Sequence, residues 1–306
     1  IRRGYDRAAA YRPARIASAD GRALISVRGN SLLSFDFRKQ NNSPVLNTTP
    51  LPLGLSDEFE IESFYNGYDN VDQSEIVLRE PELLRDINGD SLPDLITLET
   101  RSTGVFDKES TYRIHNGRSS PSGVAFLAEP DSVLSSRGFQ FGLRAEKVDS
   151  ANTMLISPGV KIGIRTIVGA LFSKSVTLQI AIYAPDDDGV VAAEPSTTVR
   201  TKISFDFSSG QAEFPTIEFG DIDGDGLNDL VLKRRSDQLV WRRNLGNNQF
   251  DSSNQELAIQ APADGSAVVA SDLNGDGRAE IVVRYARADS ESLNRLVRFT
   301  TGAMEP

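Results

Sequence analysis

The chain has 306 residues, 39% hydrophobic and 25% charged, with a net charge of −10, one histidine and no cysteine. Its acidity argues against a nucleic-acid partner, which calls for basic patches against phosphate. No run of 18 apolar residues offers a membrane-crossing helix, and without cysteine there is no disulfide framework.

At this size the chain can bury one large core or two smaller ones, and it is read as a single domain spanning 1–306. It begins without Met and without a signal peptide, so it reads as a processed or excised piece of a longer protein.

In chain order, the first feature is Asp20-Gly-Arg-Ala-Leu-Ile-Ser-Val-Arg28, which matches Asp276-Gly-Arg-Ala-Glu-Ile-Val-Val-Arg284 in seven of nine positions. Ser18 stands where the later copy has Asn274, and Leu24 where it has Glu280. The early copy is therefore expected to keep the turn and strand without a metal.

Three acidic stretches follow one pattern: Asp86-Ile-Asn88-Gly89-Asp90-Ser-Leu-Pro-Asp94, Asp221-Ile-Asp223-Gly224-Asp225-Gly226-Leu-Asn-Asp229 and Asp272-Leu-Asn274-Gly275-Asp276-Gly277-Arg-Ala-Glu280. Oxygen-bearing side chains stand at positions 1, 3, 5 and 9 of each, the arrangement with which a loop wraps a hard cation such as calcium. Glycine at position 4 allows the sharp turn inside the ligand ring. An EF-hand would need a Glu at position 12 and flanking helices, but Thr97, Leu232 and Val283 stand there. The runs after position 9, Leu95–Leu98, Leu230–Lys233 and Ile281–Arg284, are short and rich in branched apolar residues, which predicts buried strands. Each loop thus joins two strands. The second loop, with four carboxylates against three in each of the others, is expected to bind most tightly. Ser91 at position 6 of the first loop is expected to weaken it if that position needs a positive φ.

Thr111-Tyr-Arg-Ile-His115 reads as a strand entering a turn, with His115 in a surface or inter-blade packing role because no second histidine and no cysteine accompanies it. Val160 to Tyr183, interrupted by Lys161, Arg165, Lys174 and Gln179, reads as a pair of core strands. Asp186-Asp-Asp-Gly189 lacks the alternating ligand spacing and reads as a solvated hairpin turn. Pro215–Phe219, Leu230–Lys233, Gln238–Arg242 and Gln255–Ile259 form one four-strand unit around the second loop, with Trp241 a core residue. Arg234-Arg235 and Arg242-Arg243 read as solvated strand-end pairs. Val268–Ala270, Ile281–Tyr285 and Leu296–Phe299 form a last unit lacking an outer strand.

The loops and their flanking strands resemble the calcium-binding FG-GAP or VCBS propeller repeats of integrin alpha subunits and many secreted bacterial proteins. Phe219-Gly220 stands before the second loop where such repeats often carry Phe-Gly, and Phe141-Gly142 with Ala184-Pro185 is read as a decayed copy. Ser91 in place of the position-6 Gly and the absence of a full Gly-Ala-Pro element depart from the pattern. The resemblance implies about three calcium ions. Their ligands would be Asp86, Asn88, Asp90, Asp94 and the Leu92 carbonyl; Asp221, Asp223, Asp225, Asp229 and the Leu227 carbonyl; and Asp272, Asn274, Asp276, Glu280 and the Arg278 carbonyl. Three such ions would change the net charge from −10 to −4.

Taking Asp20, Asp90, Asp225 and Asp276 as equivalent gives spacings of 70, 135 and 51 residues. These imply an all-β propeller of roughly five to seven blades with calcium loops between strands. Residues before Ala17 are expected to supply the outer strand of the last blade, closing the ring so that no edge is left unpaired.

Three functions fit this reading. The first is a calcium-stabilised, non-enzymatic recognition or adhesion module with a protein or glycan ligand on a propeller rim. The second is a structural or assembly part of a larger secreted toxin or surface complex. The third is the propeller of an extracellular polysaccharide lyase, for which no residue constellation nominates a base. Near-millimolar extracellular calcium would load such loops, and a large ectodomain without disulfides points to a bacterial extracellular, surface or periplasmic setting.

Overall fold

The computed structural model describes residues 14–16, 23–36, 45–56, 76–102, 108–120, 123–149, 153–161, 164–186, 188–206, 211–213, 216–235, 238–247, 249–260, 268–285 and 295–299. Among them the chain forms 23 strands and one helix, which makes it all-β in class. It divides into two compact units, Ile1–Ala145 with Ala184–Glu194 and Glu146–Tyr183 with Pro195–Pro306.

The first unit opens with an antiparallel meander of β1 (Ala14–Ile16), β2 (Ala23–Arg28), β3 (Ser31–Asp36) and β4 (Val45–Pro50). Strand β1 pairs with β2, Ala14 opposite Ile25, and not with the last sheet. The local partner wins because closing a short loop costs far less chain entropy than joining distant ends. Residues 1–13 lie outside the described set, as does the turn at Asp20.

The second sheet is built from β5 (Ile76–Arg85), β6 (Asp94–Ser102) and β7 (Lys108–His115). After the hairpin of β8 (Arg118–Ser120) and β9 (Gly123–Ala125), β10 (Ser132–Arg137) returns along β7, giving the order β5-β6-β7-β10. A register shift between Pro81 and Leu83 accommodates the missing proline N–H and leaves Glu82 as the extra residue. Ile25, Val27, Leu32, Leu51, Leu53, Leu55, Leu95, Val124 and Phe126 make one core of this unit. Alternation explains it: in β2, Ile25 and Val27 point inward between less buried neighbours.

After β11 (Phe139–Gln140) and β12 (Arg144–Lys147), β13 (Thr153–Val160) starts the sheets of the second unit. It pairs with β14 (Ser175–Tyr183), which pairs in turn with β15 (Thr197–Asp206) and β16 (Gln211–Glu213). The stretch read as two strands is thus β13, a helix α1 (Ile164–Ser173) and β14. Ile164, Ile167, Val168, Leu171 and Phe172 recur at i, i+3, i+4, i+7 and i+8, the spacing of a helix face. Lys174, at φ 52°, closes the helix with its N–H on the Ala170 carbonyl at 2.8 Å.

Strands β17 (Ile217–Gly220), β18 (Asp229–Arg235), β19 (Gln238–Arg242) and β20 (Gln255–Gln260) form the next meander, and β21 (Val268–Ser271), β22 (Glu280–Tyr285) and β23 (Arg295–Phe299) the last. Both match the predicted strand order. Ile222, Val231, Leu239, Val268, Ala279, Ile281 and Val283 share one core, against which the half-buried Trp241 packs. No helix among the described residues is long and apolar enough to cross a membrane.

Candidate metal centre

Each acidic loop connects two antiparallel neighbours: β5 to β6, β17 to β18 and β21 to β22. Their internal wiring is the same. The position-1 carboxylate accepts from the amides of positions 4 and 6: Asp86 from Gly89 (2.7 Å) and Ser91 (3.0 Å), Asp221 from Gly224 (2.6 Å) and Gly226 (2.8 Å), Asp272 from Gly275 (2.7 Å) and Gly277 (3.0 Å). Those amides converge only because both positions are left-handed. Position 4 has φ of 80° or 81° in all three copies, and position 6 has 69° at Ser91, 88° at Gly226 and 85° at Gly277. Ser91 therefore holds a conformation that disfavours an L side chain.

At position 5, Oδ1 accepts the N–H of position 7: Leu92 to Asp90 (2.7 Å), Leu227 to Asp225 (3.0 Å) and Arg278 to Asp276 (2.9 Å). At position 9 the two aspartates are fully buried. Asp94 accepts from Ile87 N–H and Gly117 N–H, both at 2.8 Å. Asp229 accepts from Ile222 N–H (2.9 Å) and Asn244 N–H (2.8 Å). Burial pushes each carboxyl up to about 6, although these amide hydrogen bonds pull the other way. Each position-9 aspartate is thus a strut from its loop to the chain just past the second strand that follows it, β7 or β19. In the third copy the longer Glu280 accepts from Leu273 N–H at 2.6 Å and from Asn274 Nδ2 at 2.6 Å.

The second loop brings its acids closest. Asp221, Asp223 and Asp225 each offer a carboxylate oxygen, and the three lie within 4.8 Å of one another. Oδ1 of Asp223 is buried without a hydrogen-bond partner. A buried acceptor beside two carboxylates is the donor set a hard cation takes up, so calcium fits these residues. Asp221, Asp223, Asp225 and Asp229 would hold it, supplying negative charge and oxygen ligands alone.

One functional residue was misread from sequence. Arg243, expected to be a solvated strand-end residue, donates from Nε to Asp223 Oδ2 at 2.7 Å and from Nη2 to Asp225 Oδ2 at 3.0 Å. No local signal marks it, since it lies 18 residues from Asp225. Arg242 donates from Nε to Asn254 Oδ1 at 2.8 Å. The side chains of Arg234 and Arg235 lie outside the described set.

Loops two and three lie side by side. A Cβ on Gly220 would come within 2.8 Å of the Ala279 Cβ and 2.9 Å of the Ala270 Cβ, so only glycine lets β17 approach β21 this closely. The Ala279 N–H donates to the Asp221 carbonyl at 2.5 Å. A cleft of about 370 Å³ between the loops is lined by Asp221, Asp272, Asp149, Asn228 and Ser271 among others. Residues 221–283 match the family model of the FG-GAP-like repeat. The FG-GAP-like match spans the second loop, β18 to β21, the third loop and the first part of β22. The Phe219-Gly220 pair immediately precedes it, and Gly220 gives the pair its physical reason. No curated protein matches the chain.

The first loop has a different neighbour. The Asp186 turn packs on it: a Cβ on Gly189 would meet the Asn88 Cβ at 2.7 Å, and Asn116 Nδ2 donates to the Gly189 carbonyl at 3.3 Å. Asp186 and residues 188–190 make the turn contacts expected of a hairpin, with Asp186 Oδ1 accepting from the amides of Asp188 (3.0 Å) and Val190 (2.8 Å). His115 is buried, its Nδ1 2.9 Å from the Leu127 carbonyl, and desolvation holds its pKa below the usual histidine range.

Proposed function

We propose that this chain is a calcium-stabilised, non-catalytic recognition module of the FG-GAP type, its antiparallel meanders arranged as propeller blades and its working place outside the cytoplasm. One observation carries the metal reading: three carboxylates of one loop lie within 4.8 Å, and an oxygen of Asp223 is buried without a partner. Repetition of the loop wiring between strands supports a structural ion. All its proposed ligands come from one nine-residue segment, and nothing in that arrangement reserves an open coordination position of the kind hydrolytic metals use. The sequence of four-stranded meanders supports the blade arrangement.

The recognition reading is favoured over a lyase because the single histidine, the commonest general base, is buried with its Nδ1 on the Leu127 carbonyl. The ligand class is a protein or glycan docking on loops at one end of the sheets. Calcium that binds the folded state alone stabilises it by about 2.7 kcal/mol at 100 times its dissociation constant. The test is thermal unfolding in excess calcium against excess chelator, followed by a glycan array and a lyase assay on the calcium-loaded chain. Separated melting curves with ligand capture and no eliminated sugar product are expected. Coincident curves, with no metal by elemental analysis, overturn the calcium reading, and turnover of a uronate polymer overturns the non-catalytic one.

A further inference from the structure

We infer that Arg243 is the built-in counter-cation of the second loop, supplying from the neighbouring hairpin what an asparagine supplies inside the other two. The inference deepens the reading of the loops as cation sites and rests on it. In the first loop Asn88 Nδ2 donates to Asp90 Oδ2 at 3.3 Å, and in the third Asn274 Nδ2 donates to Asp276 Oδ2 at 3.0 Å. The second loop has Asp223 at that position, which when ionised has no N–H to give and adds a fourth negative charge. Arg243 meets both needs. Its Nη2 donates to Asp225 Oδ2, the atom the asparagines address in the other copies, and its Nε donates to Asp223 Oδ2.

The charges then agree. Counting the groups in ion pairs, loops one and three carry three carboxylates each, and loop two carries four carboxylates and the Arg243 guanidinium; the Arg278 side chain also packs against Gly224 of loop two. The placement is held by the strut: Asn244, next in sequence, is fixed through its N–H on Asp229 Oδ1 and through its Nδ2 on the Asn228 carbonyl at 3.0 Å. Arg243 is therefore delivered to the loop by the same contact that ties loop to hairpin. It engages the Oδ2 atoms of Asp223 and Asp225, while Asp223 Oδ1 stays buried and without a partner. A cation at these carboxylates meets a guanidinium already bound to two of them. The fourth carboxylate therefore does not confer the extra affinity that ligand charge alone predicts.

The experiment compares the wild type with Arg243→Met, Arg243→Lys, Asp223→Asn and the Asp223→Asn/Arg243→Met double variant, using calcium alone as the probe. Site-resolved titration by NMR should show calcium binding the second loop about tenfold tighter in Arg243→Met, the order expected when one unit charge beside a divalent ion is removed in a water-like dielectric. Arg243→Lys, which keeps the charge, should stay within about threefold of wild type, and loops one and three should not change. In excess chelator Arg243→Met should melt lower than wild type, and Asp223→Asn, which restores an amide donor, should abolish most of that difference. Unchanged or weakened calcium binding at the second loop in Arg243→Met overturns the proposal, as does an equal melting loss in both Asp223 backgrounds. If the wild type binds no calcium at any loop, the cation-site reading fails, and the chelator comparison still decides whether Arg243 and Asp223 are coupled.

Discussion

The N–H of Asn244 donates to Oδ1 of Asp229 at 2.8 Å, and the two residues are 15 apart. The same geometry joins Gly117 to Asp94 across 23 residues at 2.8 Å. The last acid of each of these loops thus serves the fold by tying the loop to a later turn.

If Asp229 is a strut, its removal should destabilise the protein with or without metal. Asp229→Ala leaves the Ile222 and Asn244 amides without their acceptor, and such buried groups cost about 1–3 kcal/mol each. A loss of roughly 3 kcal/mol is expected by denaturant unfolding in excess chelator. A loss seen only in calcium would make Asp229 a ligand and nothing more.

Gly220→Ala should destabilise by about 1–3 kcal/mol, the usual cost of overpacking. The new methyl would stand 2.8 Å and 2.9 Å from the Ala279 and Ala270 side chains. Adding Ala270→Gly should recover part of the loss. Wild-type melting of Gly220→Ala alone would show that β17 and β21 are free to separate.

Ser91→Gly should stabilise the first unit by about 1 kcal/mol, because Ser91 sits at φ 69° where a side chain is disfavoured. The reverse change in loop two, Gly226→Ser at φ 88°, should destabilise by a similar amount. Calcium titration of Ser91→Gly should also show tighter binding at the first loop. Opposite signs would mean that the turn conformation does not limit the site.

Burial lifts the Glu82 carboxyl to about 7 against the lowering hydrogen bond from Leu143 N–H, with repulsion from Glu80 adding to the rise. In the unfolded chain the group titrates near 4.5. The folded state therefore holds a proton that the unfolded state has lost between these values, and stability falls as pH rises from about 4.5 to 7. Glu82→Gln keeps the acceptor for Leu143 and removes the charge. It should raise stability at pH 8 by about 1–2 kcal/mol, a figure discounted because the residue is only half buried, and change it little at pH 4. Equal effects at both pH values would exclude ionisation as the cause.

The local features were legible in the sequence because their physics is local. Ligand spacing, the turn glycines and the strands after each loop lie within a dozen residues, and the amides of positions 4 and 6 close on position 1 without outside help. Helix α1 was missed: Val160 to Tyr183 reads as two core strands, because a run of branched apolar residues in an all-β context favours strands, and the helical spacing of Ile164, Ile167, Val168, Leu171 and Phe172 is the signal that could have found it.

What the tertiary structure alone decided is which distant groups meet these loops. Asn244 and Gly117 reach the buried aspartates because hairpins fold back in register, and β1 joins its own sheet because its partner is near. Gly220 is needed because Ala270 of β21 and Ala279 of the third loop lie against it. Arg243 looks like any solvated arginine until β19 ends beside the second loop and brings its guanidinium onto Asp223 and Asp225. Residue type and spacing state what a loop offers; the packing of neighbouring strands determines which charges and donors stand against it.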